Sequence, residues 1–153
     1  KLAFRDGGDF SKINNALERI ADHIVNIVQR LGSFDSMLTF QRLKTMFEDA
    51  QTMFHDGMSA LAGGDSAKAQ SVIAMDLKMD ENLIKLTEEV MSFLREKPRT
   101  IKNAISALLI GRDLERVADI TTNIAEDTIY MVQGEVTKRG AQPETDTRNH
   151  YYH

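Results

Sequence analysis

Leu114-Glu-Arg-Val-Ala-Asp-Ile-Thr-Thr-Asn-Ile124 repeats a line already written in the same chain, Leu17-Glu-Arg-Ile-Ala-Asp-His-Ile-Val-Asn-Ile27, with seven of eleven positions identical. Each copy sets a Glu and an Asp four residues apart, Glu18 with Asp22 and Glu115 with Asp119. At about 3.6 residues per turn such a pair shares one face of a helix, beside the apolar residues that recur at the same spacing. Two carboxylates held there repel unless a cation joins them. The repeated pattern predicts helices, and an apolar helix face carrying the same acidic pair twice is a candidate metal-binding repeat.

Outward from the repeat, only Pro98 and Pro143 interrupt the chain, no strand-like alternation is present, and glycines punctuate long amphipathic stretches. The fold class read from this is all-α. A first helix is expected to start near Asp9 or Ser11, either of which can cap free backbone N–H groups, and to stop at Gly32. Its apolar stripe is Ile13, Leu17, Ile20, Ile24, Ile27 and Leu31. A second helix is expected from about Asp35 to Leu61, ended by Gly63-Gly64, with Met37, Leu38, Leu43, Met46, Phe47 and Met53 among its buried residues. A third starts at Asp65 or Ser66 and runs to Pro98, its stripe including Val72, Leu77, Ile84, Leu86, Val90 and Met91. The fourth spans about Arg99 to Thr137. Short connections between long helices predict antiparallel neighbours in an up-and-down bundle. The polar stretch 140–153 lacks periodicity and reads as a disordered tail.

At 42% hydrophobic and 27% charged, with a net charge of −4 and no long run of Lys and Arg, the composition is that of a soluble protein. It argues against a nucleic-acid binder that relies on phosphate neutralisation. The absence of cysteine removes disulfides, thiolate zinc sites and a cysteine nucleophile, and fits a reducing compartment. No apolar run is long enough for a membrane span, and Arg5-Asp6-Gly7-Gly8 follows the first residues where a secretory signal would be apolar. The expected location is cytoplasmic. The chain begins without Met, so a missing upstream portion is expected.

A third acidic pair, Asp76 and Asp80, lies at i and i+4 beside the apolar stripe of the third helix. Carboxylate sites of this kind suit hard cations such as Mg, Mn, Ca or ferric iron. The competing reading is helix-surface ion pairing, Arg112 with Glu115 and Arg116 with Asp113, worth a few tenths of a kcal/mol each. Asn15 and Ala16 stand at the corresponding places of the first copy, so that explanation does not transfer while the acidic pair does. His23, next to Asp22, is a possible supplement to a site. No Glu or Asp is followed three residues later by His, which removes the ferritin-like di-iron pattern. Neither a phosphate-cradling loop nor a serine elbow is present, so the enzymatic alternative is confined to a metal-dependent phosphohydrolase; a purely structural oligomerisation bundle is the other.

With these motifs in view, the chain resembles the PhoU family of phosphate-uptake regulators. The stretch from Gly111 through Leu114-Glu-Arg-Val-Ala-Asp119 to Glu135 is similar to that family's C-terminal signature along its whole length. The segment around Asp76 and Asp80 resembles the acidic motif of its middle helix, and Leu17 to Ile27 the signature that closes its first bundle. The family fold is two three-helix bundles side by side. The resemblance therefore implies that residues 1–32 are the last helix of a first bundle, 33–139 a complete second bundle and 140–153 the tail, with about two helices missing before them. It further implies a non-enzymatic, homodimeric negative regulator of phosphate uptake and of the phosphate-starvation response. Such a regulator links the ATPase subunit of a phosphate ABC transporter to a sensor histidine kinase. The metal ligands it implies are Glu18, Asp22, Asp76, Asp80, Glu115 and Asp119, holding Fe, Mn, Mg or Zn.

Overall fold

The computed structural model describes residues 7–33 and 40–140. They form α1 (Gly7–Leu31), α2 (Gln41–Gly63), α3 (Ser66–Glu96), a single 3-10 turn at Pro98–Thr100 and α4 (Ile101–Gly140). The breaks follow local chemistry. Gly64 takes a left-handed φ of 64° that ends α2, and the Asp65 carboxylate then accepts from the Lys68 backbone N–H at 3.0 Å to cap α3. Pro98 cannot continue α3 and opens the turn into α4 instead. α1 begins at Gly7 rather than at Asp9 or Ser11, which leaves Asp9 inside the first turn, where its charge complements the helix dipole. The expected start of the second helix near Asp35, with Met37 and Leu38, and the expected tail beyond Gly140 lie outside the described residues.

Among the described residues α2, α3 and α4 pack on one another, and the backbone of α1 comes close to that of α4 only. Met46, Met53, Met79, Leu86 and Val90 are wholly buried in the main core, where Met46 and Met53 fill space as expected, whereas Met91, also expected in the buried stripe, is 50% exposed. Small residues on α4 let its neighbours come close. A methyl built on Gly111 would stand 2.5 Å from Leu86 Cδ2 and 3.4 Å from Leu83 Cδ1, so only a residue without a side chain admits α3 at this distance. Gly57 does the same for α2, where a methyl would meet Thr121 Cγ2 at 2.8 Å.

α1 seats itself through a single row, Ile13, Ile20 and Ile27, with Ile20 meeting Val117, Ile120 and Ile124 of α4. Polar contacts fix its register: His23 Nδ1 lies 2.9 Å from Asp113 Oδ1, Arg30 Nε 3.6 Å from Asp113 Oδ2, and Lys12 Nζ 2.9 Å from Asp127 Oδ1. The expected stripe was wider than the face that is buried. Ile24 and Leu31 are exposed because α1 has one described neighbour, and one neighbour covers one row. Leu77, Ile84 and Met91 on α3 are exposed for a related reason, since α2 and α4 occupy only two of its sides. Among the described residues no helix is long and apolar enough to cross a membrane.

Candidate metal centre

Gly111 and the Leu83–Leu86 turn set the approach of α3 to α4, and one to two turns further along the same groove the acidic residues of both helices meet. Carboxylate oxygens of Asp76 and Asp80 on α3 and of Asp119 on α4 all lie within 4.8 Å of one another. Glu115, one turn before Asp119, lies near enough to both Asp80 and Asp119 to act on the charge of each. Ligand bonds to a hard cation are about 2.0–2.6 Å long, so opposite ligands stand about 4–5 Å apart, and a single ion can bridge this group.

The electrostatics are those of a site short of positive charge. Burial first, then the Glu115 carboxylate, push the pKa of Asp119 up from 3.8 to about 6, with Asp76 opposing in part. Asp76 is raised by burial and then by the charge of Asp119. Asp80 is raised by burial and then by Asp76 and Asp119. Carboxylates this close ionise only against mutual repulsion, which a cation between them would remove.

Two polar atoms at the same place lack partners. Asp76 Oδ1 and Thr122 Oγ1 are buried without a hydrogen bond, although the Thr122 hydroxyl lies near enough to Asp76 to favour its ionised form. Thr122 is 6% exposed, so water does not readily satisfy it. A cation drawing the carboxylates inward would give both oxygens a role, and this is the observation by which the residues fit a metal. Sequence reasoning passed over Thr122, although its place three residues after Asp119 puts it on the same helix face.

Of the six expected ligands, the structure brings together Asp76, Asp80 and Asp119, with Glu115 beside them, and does not bring Glu18 or Asp22. Those two stand exposed on α1, away from the α3–α4 groove. His23 turns from Asp22 to Asp113, so it supplements no carboxylate site. Neither Arg112–Glu115 nor Arg116–Asp113 forms as an ion pair among the described residues. Asp113 is taken by His23 and Arg30 instead.

Comparison with known proteins places this groove in context. Residues 43–128, which span most of α2, all of α3 and the part of α4 that carries Glu115, Asp119 and Thr122, match the PhoU domain. The chain is 41% identical over 71 residues to the phosphate-specific transport system accessory protein PhoU homolog 2 of Thermotoga maritima, covering 46% of this chain and 30% of that protein. To the PhoU homolog of Aquifex aeolicus it is 33% identical, covering 83% of this chain and 59% of the relative. The crystal structure of the phosphate transport system regulatory protein PhoU from Streptococcus pneumoniae superposes with a TM-score of 0.72 at 27% identity, covering 78% of this chain and 58% of that one. The chain thus spans about half the length, or less, of the curated relatives it matches. An all-α bundle whose acidic α3–α4 groove falls inside the matched region belongs to the PhoU domain family.

Proposed function

We propose that this chain is a cation-binding, non-enzymatic regulator accessory to phosphate transport, working in the cytoplasm as a homodimer. The observation that carries the reading is the gathering of Asp76, Asp80 and Asp119 oxygens within 4.8 Å of one another, together with two buried oxygens, Asp76 Oδ1 and Thr122 Oγ1, that have no hydrogen bond. Fe, Mn, Mg or Zn at that point removes the repulsion between α3 and α4 and stiffens the face they form. The relatives named as accessory proteins of a phosphate-specific transport system support the physiological setting. In that setting the stiffened face docks on the ATPase subunit of a phosphate ABC transporter and on a sensor histidine kinase, and so restrains uptake and the starvation response.

The test is metal content by elemental mass spectrometry, with the transporter ATPase subunit as binding partner, for the wild type and an Asp76→Asn, Asp119→Asn double variant. Stoichiometric metal in the wild type, lost in the variant together with ATPase binding, is the expected result. Absence of metal from both, with equal thermal stability before and after chelation, would leave a structural oligomerisation bundle. Phosphatase turnover abolished by Asp119→Asn would replace the regulator with a metal-dependent phosphohydrolase.

A further inference from the structure

The third side of α3 is built like a docking face. Leu77, Ile84 and Met91 are 67%, 61% and 50% exposed, and they stand seven residues apart. Seven-residue steps drift by only about 20° around a helix, so the three form a nearly straight ridge about 20 Å long. Together they leave roughly 300 Å² of apolar side chain in solvent, the size at which a surface patch is often functional.

Between the apolar residues, four positions after Leu77 and after Ile84, stand Glu81 and Glu88, both exposed. Their neighbours are engaged: Arg42 holds Glu89 at 2.7 Å, and Lys78 reaches Asp49 at 3.0 Å. Glu81 and Glu88 join no ion pair or hydrogen bond among the described residues. Lys85 stands on the flank of the ridge and pairs with neither. From Leu77 to Met91 the face therefore alternates apolar and acidic layers, Leu77, Glu81, Ile84, Glu88, Met91, exposed Arg95 follows at the next place of the row, and Asp80 at the edge continues the negative charge into the α3–α4 groove.

That alternation selects the occupant. A second copy of this chain laid on the ridge sets Glu81 and Glu88 against Glu81 and Glu88 when parallel. When antiparallel about Ile84, it sets Glu81 against Glu88. Either orientation opposes like charges at two layers, which disfavours self-pairing. An anionic lipid surface is repelled in the same way. We infer that this face docks an amphipathic helix of a partner protein, with apolar residues every seven positions and Lys or Arg in the layers that meet Glu81 and Glu88. The inference does not depend on the cation site, and its assay reads no metal.

The test uses a fluorescent helical peptide of about 20 residues, with Leu at three positions seven apart and Lys four positions after the first and second Leu. It is titrated with the full chain and read by anisotropy. The expected result is saturable binding in the micromolar range, weakened about tenfold or more by Ile84→Lys. Glu81→Lys, Glu88→Lys should weaken it comparably and should gain binding to a matching peptide with Glu in place of Lys. Because these side chains are exposed, an unchanged circular-dichroism melt separates lost docking from lost fold. No binding at about 100 μM, or equal binding of the Lys and Glu peptides to the wild type, would overturn the inference. So would a dimer in sedimentation that Ile84→Lys dissolves, because a second copy would then cover the ridge, and so would capture by phosphatidylserine vesicles that Ile84→Lys abolishes.

Discussion

The two copies of Leu-Glu-Arg-(Ile/Val)-Ala-Asp are nearly the same words in different surroundings. On α4 the second copy faces α3, whose Asp76 and Asp80 meet Asp119, and the pKa of Asp119 rises to about 6. On α1 the first copy turns Glu18 and Asp22 to solvent, and the buried row is the one through Ile13, Ile20 and Ile27. An acidic pair on a helix is thus half of a site. The other half is a second helix held close enough to place its own carboxylates opposite, and the residues that permit this closeness differ between the copies.

The largest test of that difference exchanges the residue that admits α3. Gly111 corresponds in the alignment of the copies to Asn14, which is exposed. Gly111→Asn drives a side chain into wholly buried Leu86, where even a methyl stands 2.5 Å away, and buries an amide without partners. Overpacking costs about 1–3 kcal/mol and an unsatisfied polar group about as much again, so urea unfolding should report a loss of about 4 kcal/mol. Asn14→Gly removes nothing buried, and its cost is the helix propensity of glycine, below about 1 kcal/mol. Equal losses from the two exchanges would mean that close approach does not distinguish the copies.

A smaller effect comes from the charges themselves. Asp119 holds its proton more tightly in the folded protein, up to about pH 6, than at its ordinary 3.8. The native state therefore binds more protons than the unfolded chain between these values, and metal-free stability falls as pH rises from about 4 to about 6 and stays reduced above that. Asp76 and Asp80, also raised, act in the same direction. In chelator, Asp119→Asn should exceed the wild type in stability at pH 7 by about 1–2 kcal/mol, allowing for the solvent that still screens the site, and the gap should close toward pH 4. Asp22→Asn, on an exposed face, should change stability by no more than about 0.5 kcal/mol. A gap that stayed constant with pH for Asp119→Asn would show that its carboxylate is not under repulsion.

Much of this contrast was legible before any coordinates. Pro98, Gly64 and the spacing of apolar residues mark four helices, and the i, i+4 carboxylates mark the pairs. Which pairs meet was not legible, because α1 carries two apolar rows, one through Ile13, Ile20 and Ile27 and another through Leu17, Ile24 and Leu31. Periodicity cannot choose between two rows that both satisfy it; the polar contacts of His23 and Arg30 with Asp113 accompany the choice, and they join residues far apart in sequence. The ridge on α3 escaped for the same reason, since Leu77, Ile84 and Met91 read as a wider core stripe until α2 and α4 were seen to fill only two sides. Thr122 escaped because a threonine within an apolar helix reads as packing until its hydroxyl is found without a partner.

That hydroxyl gives the smallest and most discriminating exchange, because the residue in the first copy corresponding to Thr122 is Val25. Valine keeps the branched shape and removes only the oxygen. In the metal-free protein the buried Thr122 Oγ1 has no hydrogen bond, so Thr122→Val relieves a desolvation cost, offset in part by the lost support to the ionised Asp76, and should stabilise by at most about 1 kcal/mol. If the oxygen helps to hold or orient the carboxylates around a cation, the same change should weaken cation binding about tenfold, the lower end of the loss when a supporting group is removed. Calorimetric titration with Mn, together with melting in chelator, reads both effects on one variant. Stabilisation without loss of affinity would make Thr122 a packing residue with a misplaced hydroxyl, and the cation would then owe its site to the carboxylates alone. Opposite signs in the two measurements would show that the second copy gives up stability at Thr122 for cation binding.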